Sequence, residues 1–384
     1  MWLFLFLLPF AFLASFYNPW CRTVGMVANV LMVLCSIWLF LEPILKGGGK
    51  IRLPHVIFIG IPLFYVVHTI VLGAPWSEAG SPIAQAFVFM VLLQQGLTQQ
   101  MRYYFRNCML LLVLLVTIPL FFGVELLNRN SVGTLSLFLM LSVFQLSRDW
   151  RSIVYFAIAV VGLVVSQARN DMLSAFLSII LLIWWWWYGR RRGKVPVWFF
   201  FATLSIAFSI VILLVSIALQ HENGLADLLR EISGRIFDKS LDSGRGALWA
   251  STLKMVYNSP LMGRGLGADI TMLGNGAHLS AHNVYVQLLG QTGIVGLLLF
   301  LYLLFIVFRR NNAKQKEGIN SNIFLLVFII HQNFTLEWFQ NSFAHGVAIW
   351  LIVNRTYAEW KADSQESDGD SLEQSYQCKI SPSL

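Results

Sequence analysis

The fold is decided by residues 282–310, HNVYVQLLGQTGIVGLLLFLYLLFIVFRR. A polar pair, His282 and Asn283, precedes an apolar run that is long enough to cross a bilayer, which takes about 20 residues of helix. Arg309 and Arg310 follow the run directly. The stretch therefore predicts a membrane-spanning helix with a polar entrance at one end and a basic border at the other.

The composition extends this prediction to the whole chain. Of 384 residues, 57% are hydrophobic and 12% are charged, whereas soluble globular proteins carry about 25% charged residues. We therefore predict an all-α, polytopic membrane protein with about 12 transmembrane helices. The predicted spans are 2–17, 24–41, 54–73, 83–97, 107–127, 131–147, 152–167, 171–188, 197–219, 283–308, 322–336 and 341–357.

The distribution of basic residues predicts the orientation of these spans. Lys and Arg gather after the even-numbered spans, whereas the intervening short loops hold only Arg22, Arg129 and Arg169. Because short cytoplasmic loops are enriched in basic residues, both termini are predicted to be cytoplasmic and the loop 220–281 to face the opposite side. The net charge of +8 is then mainly an orientation signal. It does not indicate nucleic-acid binding, since the basic residues are scattered over many loops.

Two regions follow from this topology. Residues 1–360 form a transmembrane domain that includes the loop 220–281, and residues 361–384 form a cytoplasmic tail. The tail is rich in Ser, Asp and Glu, which predicts disorder.

The loop 220–281 is predicted to contain two helices. The range 224–237 has apolar residues at helical spacing, which fits either a helix on the membrane surface or one packed on the bundle. The range 243–258 begins with a candidate N-cap, Ser243, and Pro260 follows its end. Arg245 would therefore lie in the first turn of the second helix.

Three further features of the sequence stand out. Arg169 lies between two apolar spans, where a cation is costly and indicates a functional site, an ion pair with Asp171 or a side chain that extends to water. The run Gly263-Arg264-Gly265-Leu266-Gly267 is superficially similar to a phosphate-binding loop but lacks the following Lys-Ser/Thr, so we interpret it as a tight turn. Gly293 and Gly296 follow His282 and Asn283 within the membrane span, and they are expected to permit close helix packing.

With Arg169, Gly244-Arg245, Leu248-Trp249, residues 260–267 and the pattern His282-Asn283-x9-Gly293-x2-Gly296, the chain resembles the O-antigen ligase family, which also includes O-antigen polymerases. The resemblance implies a GT-C-type glycosyltransferase of the bacterial inner membrane with its active site on the periplasmic face. It implies a glycan donor linked to undecaprenyl diphosphate and, for the ligase branch, a lipid A-core acceptor. The reaction would invert the anomeric carbon and need no metal or other cofactor.

The residue types fit that chemistry. A diphosphate leaving group must be stabilised by a metal or by arginines, and the only Asp-x-Asp sequence, at 368–370, lies in the predicted cytoplasmic tail. We therefore predict that Arg169 and Arg245 bind the diphosphate, with Arg235 as a third candidate.

The general base is predicted to be His282, because a histidine at the start of a helix is kept neutral by the helix dipole. His278 is the second candidate for this role. Asn283 is predicted to bind substrate, to position His282 or to cap the helix.

Two other functions remain open. The polymerase branch would use a second lipid-linked repeat as acceptor, and sequence does not separate it from the ligase branch. A polysaccharide transporter would instead use intramembrane polar groups as a path. His331, Glu337 and His345 could line a substrate cavity or form hydrogen bonds between helices.

Overall fold

A computed structural model of the chain describes residues 1–45, 53–74, 76–94, 98–146, 150–188, 194–219, 245–266, 268, 281–312, 319–335 and 343–353. These ranges contain thirteen α-helices and no strand, which confirms the all-α fold class. A 3₁₀ turn at Leu13–Ser15 joins the first two helices. The helices are α1 Trp2–Phe12, α2 Pro19–Leu45, α3 Leu53–Leu72, α4 Trp76–Gln94, α5 Gln99–Phe121, α6 Arg129–Phe144, α7 Trp150–Ser166, α8 Arg169–Tyr188, α9 Val197–Leu219, α10 Arg245–Asn258, α11 Val284–Asn312, α12 Ile319–His331 and α13 Phe343–Val353.

The helices have the apolar surface of a membrane protein. In the described ranges, α2, α5, α8 and α11 are long and apolar enough to cross a bilayer, and eight shorter apolar helices accompany them. Large apolar side chains face outward, among them Trp38, Leu111 and Phe176. An exposed apolar surface of this extent suits lipid better than water. The chain is therefore a multi-pass membrane protein, while the count of twelve spans and the sides of the loops stay predictions.

Several helices begin earlier than hydropathy predicts. Helix α5 begins at Gln99 rather than at residue 107, with the Thr98 side chain accepting a hydrogen bond from the Met101 N–H as an N-cap. Its two arginines, Arg102 and Arg106, are buried, and the Arg106 guanidinium lies 4.7 Å from the centre of the Tyr155 ring. Buried arginines lower the mean hydropathy of a segment without ending its helix. Helix α4 likewise begins at Trp76 rather than at residue 83, because the polar residues of its first turns, Ser77, Glu78 and Ser81, lower the mean hydropathy of the segment.

The centre of the bundle is formed by α6, α12 and α13. Every residue of α6 from Val132 to Val143 is buried, as is every residue of α13. Helix α6 packs against α5, α7 and α8, while α12 packs against α8, α9, α11 and α13. The first turns of α8 and the residue before α11 both contact the end of α12.

Candidate active site

His282 lies in a strained turn in front of α11. Helix α11 begins at Val284, so the expectation that His282 opens the helix is wrong. His282 is half-buried and has a φ of 48°, a left-handed conformation that costs a residue with a side chain about 1–3 kcal/mol. Strain of this kind persists only where the surroundings hold the backbone in place.

Asn283 caps α11. Its side-chain oxygen accepts hydrogen bonds from the N–H groups of Tyr285 and Val286 at 2.9 and 3.0 Å. Its amide nitrogen donates to both the backbone and the side-chain oxygen of Asn333, at 3.1 and 3.2 Å. Asn283 is fully buried and holds the residue after His282 against the end of α12. A substrate-binding role for Asn283 stays a prediction.

The first N–H groups of α11 are already used. The Val284 N–H donates to the Gln332 carbonyl at 3.0 Å, and the next two N–H groups donate to Asn283. These three donors are therefore not available to hold a phosphate, as the free N–H groups of a helix start can do. The predicted arginine side chains remain the candidates for binding an anion beside this helix.

Arg169 begins α8 and is half-buried. Two residues later, the buried Asp171 accepts a hydrogen bond from the Thr134 hydroxyl at 3.1 Å. Asp171 Oδ1 also lies 3.7 Å from His331 Nε2, and His331 Nδ1 lies 2.8 Å from the Ser174 hydroxyl. The start of α8 is thus tied to the end of α12.

The end of α12 connects the segment that holds Arg169 with the segment that holds His282. His331 contacts the segment that follows Arg169, and Asn333, two residues further on, contacts the segment that follows His282. Thr134 and Asn333 are not among the site residues predicted from the sequence, and for His331 the sequence fits either a cavity-lining position or hydrogen bonds between helices. The structure shows His331 in hydrogen-bonding contact between α12 and α8.

Helix α10 contacts Ala281, the residue before His282. The indole N–H of the buried Trp249 donates to the Ala281 carbonyl at 2.6 Å. The Ala281 N–H in turn donates to the Gln287 side chain at 2.9 Å. Arg245 is the first residue of α10, one helical turn before Trp249, so the two elements that carry Arg245 and His282 are joined directly.

The glycine-rich turn docks on a break in α11. Gly293 has φ 65° and ψ −167°, which interrupts the helix. The N–H groups of Arg264 and Gly265 donate to the carbonyls of Gly290 and Gln291 at 3.1 and 2.9 Å. A phosphate-binding loop would need these N–H groups free, so the structure supports the interpretation as a tight turn.

The two motif glycines have different structural reasons. A Cβ at Gly293 would overlap the Leu261 carbonyl, so this glycine permits the close approach of another backbone segment rather than helix packing. A Cβ at Gly296 would overlap the side chain of Thr292 in its own helix. Gly296 therefore makes room for Thr292.

Several predicted features lie outside the described residues. They are Arg235, Ser243, His278, Glu337, the helix predicted at 224–237 and the tail 361–384. For Arg245 the backbone alone is described.

Comparison with known families agrees with the motifs. Residues 154–301 match the family model described as O-antigen ligase, which confirms the resemblance. The matched region runs from α7 into α11 and contains Arg169, Arg245 and His282. No curated protein matches the chain.

Proposed function

We propose, with the O-antigen ligase match of residues 154–301 as premise, that this protein transfers a glycan from undecaprenyl diphosphate to a sugar hydroxyl of lipid A-core. The family match supports ligase or polymerase activity and glycosyltransferase chemistry with lipid-linked glycans. We place the reaction on the periplasmic face of the bacterial inner membrane. The observation that carries the proposal is the buried network that connects the Arg169 segment with the His282 segment.

In the proposed reaction, the acceptor oxygen attacks the anomeric carbon of the donor sugar from the face opposite the diphosphate. His282 takes the proton of the acceptor hydroxyl, the bond between the anomeric carbon and the diphosphate oxygen breaks, and undecaprenyl diphosphate leaves. Arg169 and Arg245, with Arg235 as a third candidate, stabilise the negative charge that grows on the leaving oxygen. This mechanism yields an inverted glycosidic bond.

The function can be tested in two steps. Expression of the protein in a host without its own ligase should restore lipopolysaccharide that carries O-antigen. Purified protein with a lipid-linked donor should then glycosylate a lipid A-core acceptor in preference to a second lipid-linked repeat. Elongation of the lipid-linked repeat instead would assign the polymerase branch. Movement of donor between leaflets without a new glycosidic bond would assign a transporter.

Replacement of Arg245 by alanine is expected to reduce transfer by about 10²- to 10³-fold, the usual cost of removing one donor to a developing anion. Arg245→Lys should restore part of this loss, because lysine keeps the charge but cannot bind a phosphate with two parallel hydrogen bonds. Steady-state kinetics with varied donor provide the measurement.

Lys254→Ala is the matched control for Arg245, since Lys254 is an exposed cation on the same helix. The control should keep wild-type kinetics. Equal losses for both variants would show that α10 contributes general positive charge and would contradict a specific role for Arg245.

Chelation of divalent metals is expected to leave the transfer rate within about twofold of the untreated enzyme, since the arginines neutralise the diphosphate. The described residues contain no group of three or more His, Cys, Asp or Glu side chains that could hold a metal ion. The measurement is the initial rate after dialysis against EDTA, with and without added Mg²⁺. A loss of activity that Mg²⁺ restores would show that a metal binds the diphosphate.

A further inference from the structure

A cluster of buried polar side chains connects the first turns of α8 with α6 and α12. None of its members is among the residues proposed to touch substrate. It consists of Thr134, Asp171, Ser174 and His331, each at most 4% exposed. Ionisable groups inside a membrane bundle are costly and are kept where they are paired or have a function. Here the carboxylate of Asp171 and the imidazole of His331 bridge α8 and α12, and the Thr134 hydroxyl adds α6.

The turn that this cluster supports is strained. In the described residues, the non-glycine residues with positive φ are Gln167, at 54°, and His282, at 48°. Gln167 lies in the turn directly before Arg169, where the Ser166 hydroxyl accepts a hydrogen bond from the Ala168 N–H at 3.2 Å. Such strain marks positions that the surroundings force into one geometry. The two strained residues therefore lie at the two segments that the end of α12 connects.

We propose that Asp171 and His331 are positioning residues that fix Arg169, and that Asn333 at the same end of α12 fixes His282 through Asn283. The proposal rests on the proposed function. Neither Asp171 nor His331 touches the substrate; the pair holds the first turn of α8, and with it Arg169, in the geometry that the leaving diphosphate requires. The end of α12 thus sets the separation between the leaving-group arginine and the general base.

Asp171→Asn is expected to reduce kcat/KM for the lipid-linked donor by about 10- to 100-fold, since a displacement of about 1 Å in a positioned group can cost about 100-fold. The KM for the acceptor should stay within about twofold, because Arg169 is assigned to the donor. Thr134→Val should show the same pattern with a smaller loss, since it removes one hydrogen bond to Asp171 and keeps the carboxylate. Thr134→Val also serves as the test if Asp171→Asn does not fold.

A double-mutant cycle separates positioning from general destabilisation. If Asp171 acts through Arg169, the combined variant Arg169→Ala/Asp171→Asn should be no slower than Arg169→Ala alone. The corresponding cycle for the other branch combines Asn333→Ala with His282→Asn, and the same result is expected. Rates that fall by the product of the single losses would overturn the proposal.

Asn322→Ala is the control for His331→Gln. Asn322 is also a buried polar residue of α12, but it lies near the opposite end of the helix, where its amide nitrogen donates to the Phe308 carbonyl and to the Asn312 side chain. Both variants should lower the thermal midpoint in detergent, whereas only His331→Gln should lower kcat/KM for the donor. Equal kinetic losses would overturn the positioning role alone. A folded wild-type protein with no transfer activity would overturn the proposed function as well.

Discussion

Replacement of His282 by asparagine is expected to reduce the rate of glycan transfer by about 10²- to 10⁴-fold, the usual contribution of a general base. Asparagine is the sharpest substitution because it tolerates the left-handed backbone at this position but cannot accept the proton of the acceptor hydroxyl. The measurement is single-turnover transfer from lipid-linked donor to lipid A-core. Donor binding should be unchanged, since the arginines are intact.

The variant His282→Gly separates a chemical role of the imidazole from the effect of the strained backbone at this position. Glycine adopts a φ of 48° without a steric cost, so this variant should unfold at the same temperature as wild type or higher while its transfer rate falls as far as that of His282→Asn. Transfer at the wild-type rate in either variant would remove His282 from the mechanism and make His278 the next candidate. A loss of activity that follows a loss of stability would assign His282 a structural role.

The helices were largely predictable from hydropathy, but their polar ends were not. The apolar part of α5 was predicted from residue 107, whereas Gln99, Arg102 and Arg106 belong to the same helix. These side chains lower the hydropathy of the segment, yet Arg106 is buried against Tyr103 and Tyr155. A rule based on single-residue hydropathy has no information about such partners, and one of them, Tyr155, comes from another helix.

The candidate site was predictable as a set of residues but not as an arrangement. His282 and Asn283 were visible as a polar interruption before an apolar run, and Arg169 as a cation between two spans. The contacts that join them link Ser174 with His331, 157 residues apart, and Asn283 with Asn333, 50 residues apart. Only the fold brings such distant positions together. The remaining sequence signal was that His331, Gln332 and Asn333 interrupt an otherwise apolar segment.

The break at Gly293 also depends on a distant partner. Spacing alone suggested a helix-packing glycine, because a small residue in a membrane helix usually permits a neighbouring helix to approach. Here the neighbour is the turn around Leu261, whose carbonyl occupies the space where a side chain would be. The Pro260 carbonyl accepts a hydrogen bond from the Ile294 N–H at 2.9 Å across the same break. The glycine is therefore part of a backbone-to-backbone junction.

Gly293→Ala is expected to destabilise the protein by about 2 to 6 kcal/mol. A φ of 65° with a ψ of −167° lies in a region that only glycine occupies readily, at a cost of about 1–3 kcal/mol for other residues. Overlap of the new methyl group with the Leu261 carbonyl adds about 1–3 kcal/mol, as overpacking usually does. Thermal unfolding in detergent should show a markedly lower midpoint. Transfer activity should fall with it, because the turn 259–266 joins the end of α10 to α11.

Gly80→Ala provides the matched control for this junction. Gly80 lies in α4, and a Cβ built on it meets nothing within 4 Å, so alanine there should leave the midpoint unchanged or raise it slightly through its higher helix propensity. If Gly293→Ala unfolds at the same temperature as Gly80→Ala, α11 tolerates a continuous helix at residue 293 and the docked turn is not needed for stability. If Gly293→Ala is destabilised but transfers glycan at the wild-type rate at temperatures below its midpoint, the junction stabilises the fold and is not needed for the geometry of the active site. We expect Gly293→Ala to lose both stability and transfer activity while Gly80→Ala keeps both. This result would show that α10 must be held against α11 for Arg245 to act with His282.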